Sequence, residues 1–542
     1  VNQVSFLRRF CRTETLFFLS AWLLLMAGGR SRMFGDPGSF WHIVVGQRIL
    51  ATRTLLDTDP FSFTRQGEPW VPQSWLCECG LALLHRLDGV NTILLATAVV
   101  LAGFYTWIVH RLLRAGLHPL LAILVTLLAM LASAYHFHPR PHLVTIVFLG
   151  WTFARLNDFE DGRISLRGLF WLLPLFVLWT NLHGGMLAGL GTLAVTAFGW
   201  VLGTLLGRWA WLKSPDLRPR QMLRLGLLVV GCGLTAFVNP YGLALPRMWL
   251  SLLRSPLLPL LINEHGPLLG AGWVGSGVLL LGFLYVIALV GVLPRRPRVT
   301  WLVPLVWLAL AFTRIRHGPL FAVTAVIALA DMLPHVRWIT WLARKGSVVC
   351  RIDPKSEIRN PKSDYGGWFG FRISGFGFAS AALLPCVAVA AALGVQVAGL
   401  SLPGVGRDWV LPDPRSCPLG LLPALDEVER HDPEGTPIFN EMLFGGFLIY
   451  YTPGMRVFID DRCELYGDDG LMEYALAYRD DPSQIERWAK HYGFRLALTR
   501  VGSSFDTYLR AADGWVVIGE TDTATLHRRV QHTTPRPTQD SE

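Results

Sequence analysis

The chain has 542 residues, of which 52% are hydrophobic and 16% charged, with a formal net charge of +10 and a mean hydropathy of +0.40. That is too apolar for one water-soluble domain of this length, and it points to a chain that crosses a membrane several times. The excess of Lys and Arg falls in loops, and no nucleic-acid-binding motif accompanies it, so no nucleic-acid partner is expected.

In chain order, Arg8, Arg9 and Arg12 precede an apolar segment that ends near Gly29. This is read as an uncleaved signal anchor. Apolar stretches of about the bilayer-spanning length predict spans near 15–29, 90–110, 118–135, 142–156, 168–181, 184–206, 223–238, 272–293, 300–313, 318–334 and 376–400. The segment 75–88 carries Glu78, His85 and Arg86 and reads as an interfacial helix leading into the second span. Residues 243–262 look similar, broken by Pro246, Pro256 and Pro259.

With the N-terminus inside, the inner loops gather Arg111 and Arg114, then Arg155, Arg163 and Arg167, then the run from Arg208 to Arg224, then Arg295, Arg296 and Arg298, then Arg337, Arg344 and Lys345. That is about nineteen basic residues with the N-terminal three, against about five in the short outer loops. About eleven spans then put the C-terminal residues outside. Expected parts are a membrane domain over 1–400 with a long outer loop at 30–74, a low-complexity inner insertion at 344–374, and a soluble extracytoplasmic domain over 401–542. Pro354-Lys-Ser-Glu is nearly repeated by Pro361-Lys-Ser-Asp in the insertion, as in an expanded loop.

Polar residues of an unusual kind collect in the outer loops. The first holds Asp36, Trp41, His42, Asp57 and Asp59. Later ones hold His136, His138, Arg140 and His142; Asn181 and His183; Asn239-Pro-Tyr-Gly; Glu264 and His265; and Arg314, Arg316 and His317. Each has an ordinary explanation: Asp36, Asp57 and Asp59 as turn formers beside proline, His183-Gly-Gly as a tight hairpin, and the arginines as snorkelling side chains. Arginines on the outer side run against the charge rule, however, and six loops feed one end of the bundle. Acids there suit a general base, guanidiniums suit phosphate oxygens, and imidazoles suit orientation of either partner. Asp36, with Asp57 or Asp59 as substitutes, is the candidate catalytic acid. Trp41, His42, His138, Arg140, His142, Asn181, His183, Glu264, His265, Arg314, Arg316 and His317 are candidate substrate ligands. No Walker loop, dinucleotide fingerprint, haem motif or His-Glu-x-x-His site occurs. No motif requires a cofactor; a divalent metal is left open, with no ligand spacing behind it. Cys77-x-Cys79 lacks a second pair and reads as packing.

The first outer loop, with Asp36 a few residues beyond the first span and Trp41-His42 after it, together with the many-span plan over 1–400, resembles the GT-C glycosyltransferases, the class of protein O-mannosyltransferases and aminoarabinose transferases. The resemblance implies an α-helical membrane bundle with a small C-terminal α/β domain. It implies a polyprenyl-phosphate sugar donor, membrane lipids as surroundings, and a glycan, lipid or protein acceptor. It gives Asp36 the catalytic role and later outer-loop basic groups the lipid phosphate. Pro37 stands where many members carry a second acid. The expected setting is a bacterial inner or plasma membrane, N-terminus cytoplasmic and C-terminal domain extracytoplasmic. A transporter or flippase of lipid-linked sugars, or an assembly factor, is the rival reading; no clear internal repeat supports the former.

The C-terminal residues open on Pro403, Pro412, Pro414, Pro418 and Pro423. Strands are predicted at 436–440, 456–460, 495–499, 515–519 and 524–527, and helices at 445–451, 468–478, 482–492 and 503–512. Asp460-Asp-Arg-Cys-Glu464 is the densest polar motif, read first as a charged turn with an internal Asp–Arg pair. Cys417 and Cys463 are candidates for a disulfide in this domain.

Overall fold

The computed structural model describes residues 12–207, 211–344 and 376–530. The polypeptide divides into two compact units, each discontinuous in sequence. One joins the chain up to Met33 with Gln73–Val410; the other joins Phe34–Pro72 with the chain from Leu411 onward. The first long loop, expected as an appendage of the bundle, is thus grouped with the C-terminal residues. The insertion expected at 344–374 lies outside the described residues, apart from Arg344 at the end of a helix.

The first unit is helical. Every expected span falls on a helix: Thr13–Arg32, Trp75–Arg114, Pro119–Ser133, His142–Glu160, Leu172–Leu182, Met186–Leu206, Pro219–Leu234, Gly272–Val292, Val303–Thr313, Gly318–Met332 and Phe376–Val397. Among the described residues, six segments are long and apolar enough to cross a bilayer: Trp75–Arg114, Pro119–His136, Met186–Leu206, Pro219–Phe237, Gly272–Val292 and Ile315–His335. Shorter apolar helices fill in around them, and the unit is a polytopic membrane bundle. The expected interfacial helix runs on into the second span and is marked off from it only by a break at Asp88 and Gly89. Gly89 takes φ 58°, ψ −142°, a conformation open to glycine and strained for other residues.

Close helix approach uses small residues where a side chain would collide. A Cβ on Gly150 would meet the Phe104 ring at 2.6 Å, and one on Gly275 the Leu268 carbonyl at 2.6 Å. One end of the bundle is tied by charge. Arg163 Nη2 donates to Asp331 at 2.6 Å, and Arg111 Nη2 to Asp158 at 3.2 Å. These residues lie at or just beyond the C-terminal ends of their helices. The opposite ends carry the His136–His142 loop, His183, the Glu264–His265 turn and Arg314–His317.

The second unit is α/β. Strands β1 (Thr436–Asn440), β2 (Met455–Val457), β3 (Leu496–Arg500), β4 (Trp515–Glu520) and β5 (Ala524–Arg529) form one sheet in the order β2-β1-β3-β5-β4. β1 pairs parallel with β2 and β3; β5 pairs antiparallel with β3 and β4. Helices Gly445–Tyr451, Cys463–Arg479, Gln484–Tyr492 and Ser504–Ala511 match the expected alternation, while Leu422–His431 was not anticipated. Phe439, Phe494 and Phe505 are fully or almost fully buried and make the aromatic core with Phe458 and Trp488. Each such ring contributes about 1.5–3 kcal/mol by burial.

The 34–72 segment belongs to this sheet by hydrogen bonding. Phe63 N–H donates to the Val457 carbonyl at 3.0 Å, and Val457 N–H to the Phe61 carbonyl at 3.1 Å. Phe61–Phe63 therefore runs parallel along the free edge of β2. An unexpected helix, Gly38–Thr52, packs on Gly445–Tyr451: Phe40 lies 5.2 Å from the Tyr450 ring, and a Cβ on Gly446 would overlap the Pro37 carbonyl. The disulfide between Cys417 and Cys463 is not formed.

Candidate functional site

In the bundle, the loops at one end bring cationic and imidazole groups together. Ile315 N–H donates to the Gly266 carbonyl at 2.8 Å, which docks the arginine-bearing turn on the Glu264–His265 turn. Arg316 Nη1 donates to His265 Nε2 at 2.6 Å, and Arg314 Nη1 approaches His265 Nδ1 at 3.4 Å. A neutral imidazole has one ring lone pair, so accepting from Arg316 leaves its proton on Nδ1. Burial, and then the charges of Arg316 and Arg314, push His265 down to about 3 and hold it neutral. Arg140 Nη1 stands 3.9 Å from Glu264 Oε1, a loose ion pair.

His183 is set by a relay. Trp179 Nε1 donates to Thr145 Oγ1 at 3.0 Å, and that hydroxyl donates to His183 Nδ1 at 2.8 Å. Gly185 N–H donates to the same Nδ1 at 3.1 Å. With Nδ1 accepting, the ring proton sits on Nε2, ready to donate. Burial, then Arg316 and Arg140, push this histidine down to about 3 as well. His142 Nε2 meets the His136 carbonyl at 2.7 Å, His138 Nδ1 the Met33 carbonyl at 3.1 Å, and His317 Nδ1 the Leu310 carbonyl at 3.1 Å. Asn181 is occupied structurally: its Oδ1 accepts from Trp75 Nε1 at 3.1 Å, and its amide donates to the Val177 and Val238 carbonyls, each at 2.9 Å.

The balance of charge is the telling property of this cluster. Among the described residues, the guanidiniums of Arg140, Arg314 and Arg316 gather here with the Glu264 carboxylate and with His183 and His265, both held neutral. Such a group is unfavourable alone and is relieved by an anion with several oxygens.

The second unit holds Asp36, Trp41, His42, Asp57 and Asp59. Asp36 is half-buried; its Oδ1 accepts from Gly38 N–H at 2.9 Å, an Asx turn that starts the helix Gly38–Thr52. Trp41 Nε1 donates to Asp461 Oδ1 at 2.7 Å, and its ring lies 3.7 Å from that of His42. Asp57 is exposed. Asp59 is buried and fully engaged: it accepts from Phe61 N–H at 3.1 Å, Ser62 N–H at 3.0 Å, Ser62 Oγ at 2.5 Å and Arg462 Nη1 at 2.7 Å.

Arg462 is the hub of this unit. It is 0% exposed, grips Asp460 through Nε at 2.8 Å and Nη2 at 2.6 Å, and lies over the Trp70 ring at 4.6 Å. Burial opposes its charge, but Asp460 and Asp59 outweigh it and hold the guanidinium protonated. Tyr466 Oη adds a bond to Asp460 at 3.1 Å, and Trp70 Nε1 one to Glu464 at 3.2 Å. The Asp460–Glu464 motif is a charged turn with an internal Asp–Arg pair whose second carboxylate comes from the first loop. Arg462 is signalled in the sequence by the charge density at 460–464, whereas nothing local marks Thr145 and Trp179 as supports of His183. Among the described residues, no group of three or more His, Cys, Asp or Glu is arranged to hold a metal ion.

No protein-family model and no curated protein sequence matches the chain. Among solved structures, the Archaeoglobus fulgidus oligosaccharyltransferase tethered with an acceptor peptide containing the NVT sequon superposes with a TM-score of 0.52 at 13% identity, over 91% of this chain and 69% of that one. The same organism's AglB in complex with an inhibitory peptide and a dolichol-phosphate gives 0.50 at 12% identity, over 90% and 69%. ArnT from Cupriavidus metallidurans bound to undecaprenyl phosphate gives 0.49 at 14% identity, over 96% and 98%. The likeness to the oligosaccharyltransferase establishes the fold: a GT-C-like membrane bundle with a C-terminal domain.

Proposed function

We propose that this chain is an integral-membrane glycosyltransferase that takes a sugar from a polyprenyl-phosphate-linked donor and passes it to an acceptor at the extracytoplasmic face. The observation that carries the proposal is the gathering of Arg140, Arg314 and Arg316 with neutral imidazoles at one loop end of the bundle, a set suited to a lipid phosphate. The GT-C-like fold supports it, as does the dolichol-phosphate held by a protein of that fold. In the reaction, Asp36 takes the proton from an acceptor hydroxyl or amine as that atom attacks the anomeric carbon. The bond from that carbon to the phosphate oxygen breaks, and the polyprenyl phosphate leaves with the electron pair. Arg140, Arg314 and Arg316 stabilise the charge that grows on it. His183, a neutral donor through Nε2, and His265 orient the phosphate. Trp41 and His42 serve the acceptor, and His138, His142 and His317 the donor. Asn181 and Glu264 hold loops in place.

The test is sugar transfer from a polyprenyl-phosphate sugar in membranes, at matched protein level. Asp36→Asn keeps the size of the side chain and the acceptor of the Asx turn. It lowers transfer about 10²–10⁴-fold if Asp36 is the base. Full activity removes Asp36 from that role and passes it to Asp57, since Asp59 is committed to Arg462. Full activity in Asp36→Asn, Arg314→Ala and Arg316→Ala alike overturns the transferase reading in favour of transport or assembly of lipid-linked sugars.

A further inference from the structure

The end of the bundle opposite the arginine cluster contains a second basic site. A cavity of about 560 Å³ lies where the helices Met186–Leu206 and Gly272–Val292 end, lined among others by Lys213, Arg295, Arg296, Arg298, Trp301 and His335. A helix of this length spans about 30 Å, so the cavity is roughly a membrane thickness away from Arg314 and Arg316. It is therefore distinct from the proposed transfer site.

The cavity is rich in donors and poor in acceptors. Lys213 N–H donates to the Pro297 carbonyl at 2.8 Å, which fixes the two loops to each other. Among the described residues neither the Lys213 ammonium nor the Arg295 guanidinium has a carboxylate partner, and Arg295 Nη1 instead faces His335 Nδ1 at 3.4 Å. Beneath them, Arg298 and Trp301 are 7% and 2% exposed. Arg298 pairs with Asp161 through Nη2, but among the described residues its Nη1 has no acceptor, and neither has Trp301 Nε1. An unpaired buried donor costs about 1–3 kcal/mol, so two together in one cavity floor are a standing demand for an acceptor. One carboxylate, Asp216, lines the rim and is exposed.

We infer that this cavity binds a phosphate group, most simply the headgroup phosphate of an anionic phospholipid. A phosphate supplies several acceptor oxygens to Lys213, Arg295 and the two orphaned donors at once. The rim favours a lipid source. Leu205, Leu206, Trp211 and Leu293 are 71%, 47%, 64% and 47% exposed and offer an apolar surface to acyl chains beside the charged pocket.

Native mass spectrometry of the detergent-purified full chain tests this with two probes, dioleoylphosphatidylglycerol and inorganic pyrophosphate, and dioleoylphosphatidylcholine as the net-neutral control. Phosphatidylglycerol is expected to bind more tightly than phosphatidylcholine. The Lys213→Gln/Arg295→Gln double variant changes only exposed side chains and should weaken that binding about tenfold or more. Trp301→Phe removes one N–H from the floor with little change of shape and should weaken it a few-fold. If pyrophosphate rather than the lipid shows this dependence, the phosphate site stands and its source is soluble. Binding of both probes that is indifferent to the double variant and to Trp301→Phe overturns the inference.

Discussion

Two arginines, Arg462 in the α/β unit and Arg316 in the bundle, sit in opposite electrostatic circumstances. Arg462 is wholly buried between two carboxylates, with every polar atom of the group engaged. Arg316 feels the charges of Arg314, Arg140 and Glu264 and is bonded to a histidine, and among the described residues no carboxylate is recorded within ion-pair distance of it. The first arrangement is complete as it stands and leaves nothing for a ligand to do. The second, on the function proposed above, is where an anionic ligand is stabilised. A dense charged motif is thus a poor guide to function until its partners are counted, and the difference between the two sites is open to experiment from both sides.

The largest effect on folding belongs to Arg462. Arg462→Ala strands Asp59 and Asp460 in a buried site and should destabilise the α/β unit by about 3–5 kcal/mol. Thermal unfolding of the purified full chain should show a clear fall in midpoint. Restoring neutrality with Asp59→Asn and Asp460→Asn in the same chain should recover part of the loss. An unchanged midpoint in Arg462→Ala would erase the contrast.

Arg316→Ala should behave in the reverse way. Loss of one charge-assisted contact worth about 1.5–3 kcal/mol raises the apparent KM for the lipid donor roughly 10–150-fold. The unfolding midpoint should hold or rise, because a repelling charge is removed. Arg316→Lys should recover only part of donor use, since an ammonium lacks the bidentate fork. A variant that loses stability and donor use in parallel would mean that Arg316, like Arg462, is structural.

The histidines beside these arginines give a pH dependence. His265 and His183 have folded-state values near 3, below the usual 6.5. The unfolded chain therefore binds more protons between those values. Stability from this source is complete above about pH 6.5 and is lost as pH falls through that window, by about 1.4 kcal/mol per pH unit for each titrating ring. His265→Gln should flatten the decline in unfolding midpoint between pH 7.5 and 5.5. An unaltered slope would show that these rings are not held neutral.

The smallest effect is expected at Trp41. Trp41→Phe removes its bond to Asp461 while keeping most of the ring, and should cost about 0.5–1.5 kcal/mol. A loss of transfer far beyond the loss of stability would mark Trp41 as a substrate contact.

Much of this architecture is legible in the sequence because hydropathy and period are local signals. Every predicted span coincides with a helix, and each of the five strands overlaps its expected place, although β2 ends at Val457, short of the expected 460. The helix Gly38–Thr52 escaped, since Gly38, Gly46 and β-branched Ile43, Val44 and Val45 make a weak helical signal that its packing on Gly445–Tyr451 overrides. The break at Gly89 was legible as a boundary but not as the joint of one continuous helix. Among the site residues, Asp59 beside Pro60 announces a turn, and the turn is there. Its partner Arg462 is some four hundred positions away, and nothing local to either residue states that pairing. The same holds for Trp179, Thr145 and His183, whose relay joins the helix His142–Glu160 to the end of Leu172–Leu182. Arg140, Arg314 and Arg316 could be picked out because, on the expected topology, they break the charge rule, which is a property of single positions.

The central claim is that the bundle's arginine cluster binds the donor phosphate. Its most direct test is equilibrium binding of two probes, undecaprenyl phosphate and dolichyl phosphate, to the purified full chain, compared with Arg316→Ala and with the Arg140→Gln/Arg314→Gln double variant. The account predicts saturable binding of at least one probe, weakened roughly tenfold or more in both variants while each remains folded. Equal binding by the wild-type chain and both folded variants would contradict it.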